Sequence, residues 1–276
     1  MHASAHDLLI PLVAMIAAGL LAGFAAGLFG IGGGFVVVPA LLVVLPLLGG
    51  ETSQYAHVAI GTSAATIIFT SLRSLRAHAR RDAVDFEVLR SWAPWLVLGC
   101  GFGVALADRV DGHVLLLIFA SGVMLMAINF LVPQFGDRVL SDQMPGMAAR
   151  VGIAGGLGTF SSLLGIGGGT IAIVVMTLCG RTIHRAIATA SGVGTLIAIP
   201  SAAGFALIGF GAPGLPWGSL GYVNLPAMAA IACASMLTAP WGVAAAHSLD
   251  APLLKRVFGI YLVVIGIVMM RKATGY

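Results

Sequence analysis

Apolar residues run along this chain in ten pieces set apart by short polar breaks. They fall at 8–29, 35–48, 56–72, 91–107 and 113–132, then at 150–164, 170–180, 184–208, 222–246 and 255–271. A helix needs about 20 apolar residues to cross the hydrocarbon of a bilayer, so most of these pieces predict membrane spans. The second piece of each set, 35–48 or 170–180, is too short for an ordinary perpendicular span. The opening stretch, MHASAHDLLIPLVAMIAAGLLAG, lacks the basic leader of a cleaved signal and is expected to stay as a first helix.

The two sets read as copies of one another. GIGGG at 30–34 returns at 165–169, each time at the end of a long apolar run. Downstream, HVAIGTS from His57 is echoed by HRAIATAS from His184, which shares H-x-A-I-x-T, and GVA from Gly103 by GVA from Gly242. Three landmarks in the same order predict an internal duplication: a first membrane repeat over 8–132, a linker over 133–149 and a second repeat over 150–271. Five pieces per half is an odd number. If every piece crosses, the second half enters the membrane from the opposite side.

Charge bears on this expectation. Lys and Arg in the short loops of a membrane protein mark the cytoplasmic side. The stretch RSLRAHARRDAVDFEVLR, residues 73–90, holds five arginines against three acids and is expected inside. Residues 108–112 are net negative and 209–221 carry no charge, so both are expected outside. Arg181 with Arg185, and Lys255 with Arg256, fit the inner side; Arg271 and Lys272 are the misfit. The fold expected is an all-α polytopic membrane protein of about ten transmembrane segments, arranged as two inverted five-segment repeats with GIGGG helix breaks.

Composition agrees: 59% of the residues are hydrophobic and 9% charged, against about a quarter charged in a soluble domain. The formal charge of +4 sits in loops between spans and reads as a topology signal, not as a nucleic-acid surface. The three cysteines lie singly in apolar segments with no ligand-like spacing, so no metal and no cofactor is expected.

The glycines carry the candidate chemistry. Glycine lets backbone leave helical geometry, and non-helical backbone at membrane depth is tolerated only where it is buried in protein or lines a cavity. Phe35 and Thr170 would then open two short helices whose free N–H groups and positive dipole ends attract an anion. Small residues in membrane helices also serve plain helix packing; duplication of the whole motif favours the cavity reading. A dinucleotide loop is disfavoured, since no strand precedes it.

The doubled G-x-G-G-G, the Pro39 that follows the first copy and the small, very apolar chain resemble the sulfite exporter TauE/SafE family of bacterial membrane transporters. The resemblance implies a carrier of sulfite, sulfonates or other small sulfur-containing or organic anions, placed in the inner membrane. The motif falls on Gly30, Gly32, Gly33, Gly34 and Pro39, and in the second half on Gly165, Gly167, Gly168 and Gly169. Val174 stands where Pro39 would align.

Other polar positions have two readings each. His57 and His184, at matched repeat positions, either couple protons to transport or bond a nearby carbonyl; Pro39 joins them as a gating candidate. Thr62, Ser63, Thr189 and Ser191 either donate to a dehydrated oxyanion or bond their own preceding carbonyls. Asn224 fits an interhelical hydrogen bond. The expected function is secondary transport of small anions by alternating access, one repeat rocking against the other. The rivals are a passive anion channel and an intramembrane serine hydrolase using Ser191 or Ser121 with a histidine.

Overall fold

The computed structural model describes residues 5–29, 32–132, 144–246 and 251–274. Ten α-helices stand among the described residues. The first half holds α1 (Ala5–Phe29), α2 (Gly34–Val44), α3 (Tyr55–Ala79), α4 (Phe86–Ala107) and α5 (Gly112–Leu131). The second holds α6 (Met147–Leu164), α7 (Gly169–Leu178), α8 (Ile183–Ile208), α9 (Leu225–Ala246) and α10 (Ala251–Thr274). Seven helices are long and apolar enough to cross a membrane; the apolar stretches Gly34–Leu48, Gly112–Ile128 and Gly169–Leu178 are shorter. Large apolar side chains such as Ile10, Leu207, Phe210 and Trp241 point outward, while the interior is apolar around a set of buried serines and threonines. Such a surface suits lipid, and the chain is a multi-pass membrane protein.

Helix ends follow local chemistry. The Asp85 carboxylate accepts from the Val88 N–H at 3.3 Å and opens α4; Asp111 accepts from Val114 at 2.9 Å and opens α5; Asn224 accepts from Ala227 at 3.0 Å and opens α9. Gly165, at φ 63, closes α6 in the left-handed conformation.

Two expected boundaries are corrected. The arginine-rich stretch 73–90 is mostly helix: α3 runs on to Ala79 and α4 begins at Phe86, which leaves a connection of residues 80–85. The helix continues past the apolar run because Ser74 and His78 keep its inner face buried, while arginines occupy the outer face. The connection 209–221, expected outside, is not a plain loop either. It folds into an antiparallel hairpin, β1 (Ser219–Leu220) with β2 (Val223–Asn224), so α9 starts three residues after the expected 222.

Packing joins the halves rather than separating them. The stripe Gly19, Gly23, Gly27 lets α1 lie on α9. A Cβ on Gly19 would stand 2.6 Å from the Ile231 carbonyl oxygen, and one on Gly23 or Gly27 would fall on the carbonyls of Ser235 and Ala239. The pairing advances in one direction along both helices, so α1 and α9 are parallel. Gly99 and Gly103 make the same close seam for α4 on α6, meeting Gly155 and Thr159, also parallel. By contrast α3 and α8 are antiparallel: Gly61 meets Phe205, Ser71 meets Thr195 and Ser74 meets Ser191. α5 and α10 are antiparallel too, with Gly259 against Leu131 and Gly266 against Met124. Two three-helix groups result, α1 with α3 and α9, and α4 with α6 and α8, and they meet along α3 and α8.

Candidate substrate site

The two glycine breaks lie against one another in the buried interior. Gly30 falls outside the described residues. Gly32 and Gly33 have φ of 76° and 77°, and Gly168 has 63°, values that a side chain strains. These left-handed turns start α2 at Gly34 and α7 at Gly169, each one residue before the expected Phe35 and Thr170. A Cβ on Gly32 would stand 3.3 Å from Gly167 Cα, and one on Gly34 would fall on the Gly165 carbonyl. The crossing therefore admits no side chain. The N-terminal ends of both short helices lie at this buried crossing; in α2 the Val36 N–H is already taken by the Gly33 carbonyl at 3.0 Å, while the N–H groups of the residues before it precede the first intrahelical bond.

Beside it runs a seam of hydroxyls between α3 and α8. Ser63 Oγ donates to the Gly165 carbonyl at 2.7 Å and ties α3 to the second break. Thr66 Oγ1 donates to the Ser63 carbonyl at 2.7 Å and Thr70 Oγ1 to Ile67 at 3.2 Å. Thr195 Oγ1 lies 3.0 Å from Ser71 Oγ, and Ser74 Oγ lies 3.0 Å from Ser191 Oγ. All of these side chains are buried. Thr66, Thr70, Ser71, Ser74 and Thr195 were not singled out from sequence. Their signal is the periodic recurrence of Ser and Thr at 63, 66, 70 and 74, one face of a helix.

Of the other expected site residues, the structure brings Ser63 to the breaks and Ser191 to the seam. Thr62 and Thr189 stand elsewhere, in equivalent pins. Thr62 Oγ1 accepts from the Asn224 N–H at 2.8 Å, and Thr189 Oγ1 from the Asp85 N–H at 2.8 Å. Each pin fastens the residue that caps a helix of the other half, Asn224 at α9 and Asp85 at α4, so the repeat extends to single hydrogen bonds. The two caps differ in charge. Asp85 also faces Arg181 Nε at 3.4 Å and Arg185 Nε at 3.9 Å, whereas the Asn224 amide donates to the Trp217 carbonyl at 2.8 Å.

The histidines part company. His57 is buried; its Nε2 lies 3.1 Å from the Ala107 carbonyl oxygen, and its ring stacks on Tyr222 at 4.9 Å. A carbonyl only accepts, so Nε2 carries the proton, and Nδ1 has no partner. Burial, with the Asp108 carboxylate behind it, raises the Tyr222 phenol above its ordinary pKa. His184 is exposed at the start of α8. Neither imidazole stands at the breaks. Pro39 is buried inside α2. Ser191 has the Ser74 hydroxyl and, at 3.4 Å, the Ile187 carbonyl as partners; Ser121 is exposed in a groove with Leu117, Leu125 and Phe160.

The profile of the family described as sulfite exporter TauE/SafE matches residues 15–269, which span both breaks. A probable membrane transporter protein of Haemophilus influenzae is 35% identical over 259 residues, 92% of this chain and 96% of its own length. One of Methanocaldococcus jannaschii is 28% identical over 193 residues, 70% of each chain. The Bacillus subtilis probable membrane transporter protein YunE is 27% identical over 183 residues, 60% of this chain and 67% of its own. No solved structure matches. With a polytopic helical fold and a match over nearly its whole length, the chain belongs to the sulfite exporter TauE/SafE family of membrane transporters.

Proposed function

We propose that the protein is a secondary transporter of small anions in the inner membrane, exporting sulfite, sulfonates or related sulfur-containing organic anions by alternating access. The observation that carries this reading is the meeting of two left-handed glycine breaks in the buried interior, with the N-terminal ends of α2 and α7 there. Buried N–H groups at paired half-helix ends are an arrangement suited to a dehydrated anion.

Helix directions support ten crossings in an inverted repeat. If every piece crosses, α1 and α9 run the same way, as do α4 and α6, while α3 opposes α8 and α5 opposes α10; these are the directions their contacts give. Were α2 and α7 both re-entrant, α3 and α8 would run parallel. The moving units in this reading are not the two repeats. They are the cross-repeat groups, α1 with α3 and α9 against α4 with α6 and α8. The hydroxyl seam between α3 and α8 is their sliding surface, and short side chains there exchange partners at little steric cost.

Counterflow tests the carrier against the channel. Proteoliposomes preloaded with unlabelled sulfite should draw labelled sulfite transiently above its equilibrium level. Monotonic equilibration without overshoot means a passive pore, and no protein-dependent uptake of sulfite or a simple sulfonate means that the substrate class is wrong.

A further inference from the structure

The two breaks match in sequence, but what faces them differs. We propose that the anion is held at the α7 break alone, by the first-turn N–H groups of α7 together with the hydroxyl of Ser161, and that the α2 break is the apolar wall opposite. This rests on the transporter reading above and gives its site a side.

Ser161 is fully buried, and its Oγ has no hydrogen-bond partner. That atom lies 2.6 Å from the place a Cβ on Gly168 would occupy, and Gly168 is the N-cap of α7. An unpartnered buried hydroxyl is costly unless something fills it. Here it stands against the end of a helix whose own donors need an acceptor. An oxyanion with two or more oxygens satisfies both at once, one oxygen on the helix end and another on the hydroxyl.

Aligning the repeats on GIGGG puts Ala26 at the place of Ser161 and Phe35 at that of Thr170. The equivalent N-cap, Gly33, meets a carbonyl instead of a hydroxyl: its Cβ position lies 2.6 Å from the Ala22 oxygen. A carbonyl oxygen repels an anion where a hydroxyl attracts one. Aligning on H-x-A-I-x-T puts Ile67 opposite Gly194. Ile67 Cγ2 stands 3.0 Å from the Cβ position of Gly32, so a branched side chain covers the first break. Gly194 has no side chain, and its own Cβ position lies 3.4 Å from the Gly167 oxygen and from Ser71 Cβ. Ile197 Cδ1 also stands 2.6 Å from the Gly168 Cβ position, so the two breaks differ in polarity and not in cover: Ser161, Thr170 and Gly194 surround the second where Ala26, Phe35 and Ile67 surround the first.

The test is calorimetric titration of the purified protein with sulfite, beside a thermal unfolding scan of every variant. Ser161→Ala should weaken binding about tenfold or more with its unfolding transition kept, and Ser161→Thr should recover most of the loss. The mirror change Ala26→Ser should leave affinity alone. Gly194→Ile, which copies Ile67, should remove binding; if it does not fold, Ser161→Ala decides. Wild-type affinity in a folded Ser161→Ala protein would overturn the one-sided site while leaving the transporter reading intact. A wild-type protein that neither binds sulfite nor shows counterflow would overturn both.

Discussion

Proline inside a helix frees the carbonyl four residues earlier, because it has no N–H to give. Pro39 inside α2 and Pro46, in the 3-10 turn Leu45–Leu48 that follows it, free those of Phe35 and Leu42, and α10 answers both. Tyr261 donates its hydroxyl to Phe35 at 3.5 Å, and the Lys272 ammonium donates to Leu42 at 2.9 Å. Lys272 is thus a clamp on the short helix, which gives a structural use to a cation that defies the loop-charge rule. Lys272→Met should lower stability by about 1–3 kcal/mol, seen as an earlier unfolding transition in detergent, and Lys272→Arg should restore part of it. The partners are 226 and 230 residues apart in sequence. That distance is why neither Pro39 nor Lys272 disclosed its role to a reading of local pattern. The threonines of H-x-A-I-x-T show the same limit: repetition marked them as important, but the loop N–H each one holds could only be seen in three dimensions.

The helices themselves were largely legible. Each apolar piece became a helix, because a membrane span must satisfy its backbone internally and has little choice of structure. The ends were less so, since burial of Ser74 and His78 carries α3 past its apolar stretch. Which face of each helix meets which neighbour was not written in hydropathy, because lipid-facing and core-facing positions are both apolar. Glycine spacing decides it instead. Gly23 lies so close to α9 that an added Cβ would fall on the Ser235 carbonyl and the Thr238 hydroxyl, whereas Gly101 has nothing within 4 Å. Gly23→Val should therefore cost about 1–3 kcal/mol or more and reduce the monodisperse fraction on size exclusion. Gly101→Val should behave as wild type. The folded fraction of the Gly23 variant should keep its sulfite affinity, which separates packing glycines from those of the breaks.

Across the whole molecule, the two ends differ in their chemistry. One carries the connection 80–85 with the Asp85, Arg181 and Arg185 cluster; the other carries the hairpin and the neutral Asn224 cap. The loop-charge rule leads one to expect the first on the cytoplasmic side. With the native cysteines replaced by alanine, Arg81→Cys should react with an impermeant maleimide only in inverted vesicles, and Leu220→Cys only in right-side-out ones. Reaction of both from one side would remove the inverted arrangement. The family and the doubled break were readable from GIGGG twice over, while the one-sidedness of the site was not, since it rests on what faces each copy.

The parallel seams of α1 on α9 and α4 on α6 have one more consequence. Neither half of the chain closes a core of its own: the glycine face of α1 finds its match only in the second half, and that of α4 likewise. Two copies of a single half, threaded into the membrane in opposite senses, would offer each other all of these pairings with no linker at all. On the inverted-repeat reading proposed above, the chain would be packed as a dual-topology dimer is packed, with one polypeptide supplying a copy of either orientation.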